Sequence, residues 1–142
     1  MMAESNYKVC DFTDRDIDDV LNLWDVTSIG GKERGDSLET IQRTLKHGGR
    51  MLLLVIDGRV VGSSWMTQDG RRMYLHHFSI HPEYQGQGLS HMLMNTSLSW
   101  MREVGLQIKL EVHESNEIAR DLYQKYGFNE LGGYKLYIVR DI

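Results

Sequence analysis

The chain has one cysteine and one proline in 142 residues. A lone Cys10 has no internal partner for a disulfide, so the fold is held by packing, and the usage fits a reducing compartment. No run of Lys and Arg is long enough to make a basic face, and the net charge of -4 is of the wrong sign for gripping a phosphate backbone. Nucleic acid is therefore not an expected partner. Long apolar runs are missing too: the longest, residues 51–56, falls far short of a bilayer span. The opening residues MMAESNYKVCDF lack a basic segment followed by an apolar core, so they do not read as a secretory signal. Repeats and linkers are also absent. The expectation is one cytoplasmic domain over residues 1–142, with no membrane contact, large enough for a single core at 41% hydrophobic and 25% charged residues.

Against that background the local patterns are distinct. Residues 7–12 alternate weakly and predict a first strand. Thr13 or Asp14 caps a helix whose apolar face is Ile17, Val20, Leu21, Leu23 and Trp24. Residues 27–35 (TSIGGKERG) read as a loop. A second helix starts near Asp36 or Ser37, carries Leu38, Ile41 and Leu45, and ends at Gly48-Gly49. Residues 51–56 and 60–66 are strands joined by Asp57-Gly58, a strong hairpin signal. Gln68-Asp69-Gly70 turns the chain into a third long strand from Arg72.

The chemistry gathers in residues 73–94, MYLHHFSIHPEYQGQGLSHMLM. This reads as a buried strand closed by Pro82, a glycine-rich loop, and a helix with Leu89, Met92, Leu93, Trp100, Met101 and Val104 at helical spacing. Glycines before a helix N-terminus turn backbone N–H groups toward an anion, so a phosphate-bearing ligand is expected. Gly105 closes the helix, residues 108–112 form a strand, and Ser115 or Asn116 caps a last helix with Ile118, Ala119, Leu122, Tyr123 and Tyr126. Residues 128–131 and 134–139 around Gly132-Gly133 predict a closing hairpin. The order β-α-α-β-β-β-α-β-α-β-β implies a mixed α/β (α+β) sheet with helices on both faces.

Two separated motifs then resemble one family. Gln85-x-x-Gly88-x-Ser90, after a strand ending Phe78-Ser79-Ile80-His81-Pro82, is similar to the acetyl-CoA signature of the GNAT superfamily of N-acyltransferases. Asn116, Ala119, Leu122-Tyr123 and Gly127-Phe128 resemble that family's second motif. A glycine pair alone is weak; both motifs in order are much stronger. Ser90 departs from the usual Gly or Ala, a small change in the first helical turn.

The resemblance implies the GNAT fold and transfer of an acetyl group from acetyl-CoA to an amine, with the cofactor as co-substrate. It assigns the pyrophosphate to the loop Gln85, Gly86, Gln87, Gly88, Leu89 and Ser90. The pantetheine arm falls to the backbone of Phe78, Ser79 and Ile80, with the Phe78 N–H facing the thioester carbonyl. Phe78 and Ile80 also read as core, and backbone contact is compatible with that. Tyr123 takes the position of the general acid, which is favoured over a plain tyrosine on the buried face of an amphipathic helix. Asn116 braces the cofactor arm or merely caps a helix. His76 stands two residues before Phe78, where the family carries a general base, with His77 and Tyr74 in reserve. Regular alternation places His76 on one face with Tyr74, Phe78 and Ile80, and His77 on the other.

A metal centre built on His76, His77, His81 and His91 is disfavoured, since strand neighbours do not chelate from one face. Cys10 lacks the partners of a nucleophile. The acceptor side maps to residues 24–36 and 132–137, where Asp25, Glu33 and Asp36 suit an amine and Lys32 and Arg34 a carboxylate. Both signs of charge are present, so polarity does not choose the acceptor; the resemblance implies a small-molecule or peptide amine. A homodimer through the edge of the C-terminal hairpin is the oligomer the pattern offers. The other functional reading is a catalytically inactive CoA-binding sensor or interaction module on the same fold; intact Tyr123, Asn116 and the Gln85 loop favour the enzyme.

Overall fold

The computed structural model describes residues 6–31 and 34–142. Its strands and helices are β1 (Tyr7–Asp11), α1 (Ile17–Val26), α2 (Leu38–Lys46), β2 (Arg50–Ile56), β3 (Arg59–Gln68), β4 (Arg72–Ile80), α3 (Leu89–Val104), β5 (Gln107–Leu110) and α4 (Glu117–Lys125). The strands form one sheet in sequential order. The pairs β1–β2, β2–β3 and β3–β4 are antiparallel. The chain divides into two compact units, Met1–Lys109 and Leu110–Ile142.

In the first unit the sheet is sandwiched. Period-two alternation sends Met51 and Leu53 of β2 into a cluster with Val20, Leu23 and Trp24 of α1, Ile41 of α2 and Trp65 of β3. The intervening Leu52 and Leu54 are also fully buried. A strand covered on both faces explains why β2 reads as an unbroken apolar run. Two serines mark the faces: Ser63 bonds Trp24 of α1, while Ser64 accepts from Ser97 of α3 at 2.7 Å. Each fully buried Leu, Ile or Met here contributes roughly 1.5–3 kcal/mol. Leu21, counted with the apolar face of α1, is 37% exposed, because it lies one position off the stripe of Val20, Leu23 and Trp24.

Local signals act where expected. Asp57 and Gly58 both take positive φ, +49° and +80°, in the two-residue turn between β2 and β3. The Ser37 hydroxyl caps α2 by accepting from the Thr40 N–H at 3.1 Å.

In the second unit α4 is capped by the Asn116 side chain, which accepts from the Ala119 N–H at 3.2 Å. Tyr123 and Phe128 meet edge to face at 5.8 Å. Ile118 stands apart from the face assigned to it and is 82% exposed, at the first turn of the helix. The closing hairpin does not form: residues 128–142 contain neither strand nor helix. Leu131, Tyr134, Leu136, Tyr137, Ile138 and Val139 stand 69% exposed or more. Asn129 and Glu130 are poor strand formers in a run of only four residues, and a hairpin without further strands is marginal in water.

Candidate active site

The glycine-rich segment is built as an open cradle. After β4, Pro82–Tyr84 makes one 3-10 turn, and Gly88 sits at the N-cap of α3 in the left-handed region. Gly86 and Gly88 have φ of +78° and +76°, and a Cβ on either would meet nothing within 4 Å. Space beside an exposed backbone at the start of a sixteen-residue helix is what a bulky anion requires, since the first N–H groups of a helix have no intrahelical acceptor.

The glutamines shape this loop. Gln85 donates its side-chain amide to the Ile80 carbonyl at 2.9 Å and its N–H to Pro82 at 3.4 Å, while Gln87 reaches Glu83 O at 3.4 Å. The chemistry offered to a ligand is therefore main-chain chemistry from Gly86, Gln87, Gly88, Leu89 and Ser90. Leu89 itself is buried in the core.

The strand before the loop is not regular. Trp65 opposes His76 and Ser63 opposes Ser79, so Ser64 on β3 faces two residues, His77 and Phe78, on β4. His77 takes a φ of +42° at this bulge. The extra residue resets the alternation, which corrects the assignment of faces made from spacing. His76 and His77 both lie against Trp65, at ring separations of 5.8 and 5.6 Å, and Ser79 joins them on that face through a 3.1 Å contact with Ser63. Ile80 consequently turns to the α3 face.

The two histidines have different surroundings. His76 is at the surface of the sheet, stacked near Tyr74 at 6.1 Å, with Nε2 2.8 Å from the Thr67 hydroxyl. Desolvation by its aromatic neighbours, and then His77, hold its pKa below the usual 6.5, while Asp36 acts weakly the other way. A neutral imidazole is the form a general base needs. His77 is enclosed: its Nε2 donates to both oxygens of Asp36 at 2.9 Å, and its ring stands edge-on to Trp24 at 4.6 Å. Asp36, expected as a recognition group, is only 6% exposed and already committed to His77 and to the Gly31 N–H at 2.8 Å. Trp24 is core, at 2% exposed. Lys32 and Glu33 lie outside the described residues; Asp25 and Arg34 are exposed.

In the second unit, burial pushes the Tyr123 phenol up to about 12, which keeps it protonated. Asn116 uses its side-chain oxygen as the α4 cap, leaving its NH₂ for any bracing role. Cys10 is half-buried with its thiol pushed upward, chiefly by desolvation, which keeps it from being a ready nucleophile. Ser63 and Thr67 escape the reading by spacing, and Asp36 enters it only as a helix start or a recognition charge, because a polar residue in a loop or on a strand says nothing about a partner tens of residues away.

A family model described as the acetyltransferase (GNAT) family matches residues 17–128. Among solved structures, an acetyltransferase from Streptococcus agalactiae is similar with a TM-score of 0.79 at 18% identity, covering 95% of this chain and 92% of that one. The aminoglycoside N-acetyltransferase AAC(6')-Iy in complex with CoA gives 0.77 at 14% identity, with 99% of each chain covered. The ribosomal-protein-S18-alanine N-acetyltransferase from Escherichia coli gives 0.75 at 20% identity, covering 88% of this chain and 79% of that one. At these identities the likeness is one of fold.

Proposed function

This chain belongs to the acetyltransferase (GNAT) family, and on that premise we propose that it acetylates a primary amine of a small molecule, amino-acid derivative or peptide. The acetyl donor is acetyl-CoA. The observation that carries the reading is the cradle at Gly86 to Ser90, whose left-handed glycines open the backbone before α3 to a pyrophosphate.

The reaction runs by direct attack in a ternary complex. The amine nitrogen bonds to the thioester carbonyl carbon, the carbonyl oxygen takes up negative charge, and collapse breaks the C–S bond. Backbone N–H groups of the β4 bulge stabilise the oxyanion, with Phe78 the assigned donor. His76 accepts the proton lost by the amine. Tyr123, assigned by its place in the second family motif, donates a proton to the departing thiolate; its protonated phenol supports that role. No covalent enzyme intermediate is needed, and much of the rate comes from holding both substrates in contact. Ser79 and Ile80 line the cofactor arm in this scheme, and Asn116 keeps the bracing role that its place in the second family motif assigns to it. Two fold relatives are named for acetylating an aminoglycoside and a ribosomal-protein alanine, which supports an amine acceptor while leaving both chemical classes in the test panel.

The test is thermal unfolding with and without acetyl-CoA, followed by thiol release over a panel of amines and peptides. Binding to the native state raises the melting temperature, by about 2.7 kcal/mol of added stability at a hundredfold excess over Kd. Thiol release with one acceptor then names the class. No rise in melting temperature at saturating acetyl-CoA sinks the proposal.

A further inference from the structure

The β4 bulge is strained and locked from outside, and one of its locks comes from the loop that precedes α2. A non-glycine residue with φ of +42° costs roughly 1–2 kcal/mol and persists only where its surroundings hold it. Two anchors do so. The Ser63 hydroxyl donates to the His77 carbonyl at 2.6 Å, while itself accepting from the Trp24 indole N–H at 2.9 Å. The His77 ring is gripped by both oxygens of Asp36 at 2.9 Å.

Asp36 is fitted to this task. Its backbone N–H bonds the Gly31 carbonyl at 3.2 Å while its Oδ2 accepts from the Gly31 N–H at 2.8 Å, closing the loop on itself. A Cβ on Gly30 would come within 2.7 Å of that same Oδ2 and 3.2 Å of the Trp24 Cβ, so the chain is packed hard against the carboxylate. The Asp36 side chain is 4% exposed and the His77 side chain 18%. A carboxylate this enclosed does not recognise a solvent-borne acceptor directly.

We infer that Asp36 is a positioning residue for acetyl transfer, acting through the His77 ring to hold the β4 bulge in register with the bound thioester. The inference rests on the acetyl-transfer reading. It joins the loop before α2, on the acceptor side, to the backbone segment His77–Ser79, on the donor side. Displacing that backbone by about 1 Å costs on the order of a hundredfold in rate. The phosphate cradle lies in a different segment and does not use Asp36, so the larger part of the acetyl-CoA affinity is retained even though the pantetheine arm runs along the bulge.

The test compares the wild type with Asp36→Ala, Asp36→Asn, His77→Gly and the double variant Asp36→Ala with His77→Gly, each checked for folding by circular dichroism. Asp36→Ala is expected to lower kcat about a hundredfold, with the acetyl-CoA melting shift retained and the acceptor KM within about threefold. Asp36→Asn keeps an oxygen for the imidazole N–H and is expected to recover kcat to within about tenfold of wild type. If Asp36→Ala does not fold, Asp36→Asn bears the test, with kcat down several-fold and acceptor KM preserved. In the His77→Gly background, which accepts a positive φ without a ring, removing Asp36 adds nothing, because the route is already cut. Three results overturn the inference: an unchanged kcat, an effect confined to acceptor KM, or additive losses in the double variant. A wild type with no acetyl-CoA melting shift, or no thiol release on any acceptor, overturns the acetyl-transfer reading first and the inference with it.

Discussion

His76 and Tyr123 have opposite proton-transfer tasks in the proposed reaction, and their surroundings hold each in the protonation state from which its task starts. His76 must be neutral to accept a proton, and crowding by Trp65, Tyr74 and His77 lowers its pKa from 6.5. The sign follows: the active form dominates above that lowered value, so kcat is flat through neutrality and falls only on the acid side of 6.5. Replacing His76 by Ala should depress the neutral-pH rate and remove this acid limb; a profile of kcat against pH checks it, and an unaltered limb assigns the base to another group. Tyr123 must hold its proton, and desolvation lifting the phenol to about 12 ensures that it does. Tyr123→Phe is expected to cut kcat by about 10²–10⁴ with the acetyl-CoA melting shift intact. An unchanged rate makes Tyr123 a packing residue beside Phe128.

At the scale of elements, the loop before α3 and the bulge in β4 are fixed by different physics. Gly88 has open space around it, so a substitution is resisted by its φ of +76° and not by a clash. Asn tolerates the left-handed region and a β-branched residue does not. Gly88→Val should therefore abolish the acetyl-CoA melting shift while the protein stays folded, and Gly88→Asn should keep much of it. Normal binding by the Val variant would remove the phosphate role from this loop. The bulge depends on satisfied polar groups. Ser63→Ala strips the partner from the buried Trp24 indole and from the His77 carbonyl, and is expected to cost about 1–3 kcal/mol for each group left unpaired. Denaturant unfolding measures that loss.

At the scale of the whole molecule, most of the strongly exposed apolar residues among those described lie in the C-terminal tail. Ile138 is 69% exposed and Leu136 73%. In a single copy Ile138→Glu should change stability by no more than about 0.5 kcal/mol, as exposed sites do. Unfolding measured across a range of protein concentrations checks this. A loss that grows with concentration means that the wild-type tail is covered by a second copy. No helix among the described residues is long and apolar enough to cross a membrane.

The sequence by itself determined the order of elements through α4, the Asp57-Gly58 turn, the residue pairs from which the structure takes Ser37 and Asn116 as helix caps, and the glycine-rich loop. Each is written in residues close together in the chain, where periodicity, turn chemistry and capping act locally. Tertiary structure decided the rest. The bulge at His77 resets which side chains share a face of β4, and it exists because Ser63, Trp24 and Asp36, from three other segments, hold it. Asp36 looked like a surface charge because nothing in its neighbourhood of the sequence announces a histidine 41 residues away. The tail is expected to form a hairpin around Gly132-Gly133, but a strand also needs an edge to pair with. Local pattern specifies the element, and only the folded chain supplies its partners.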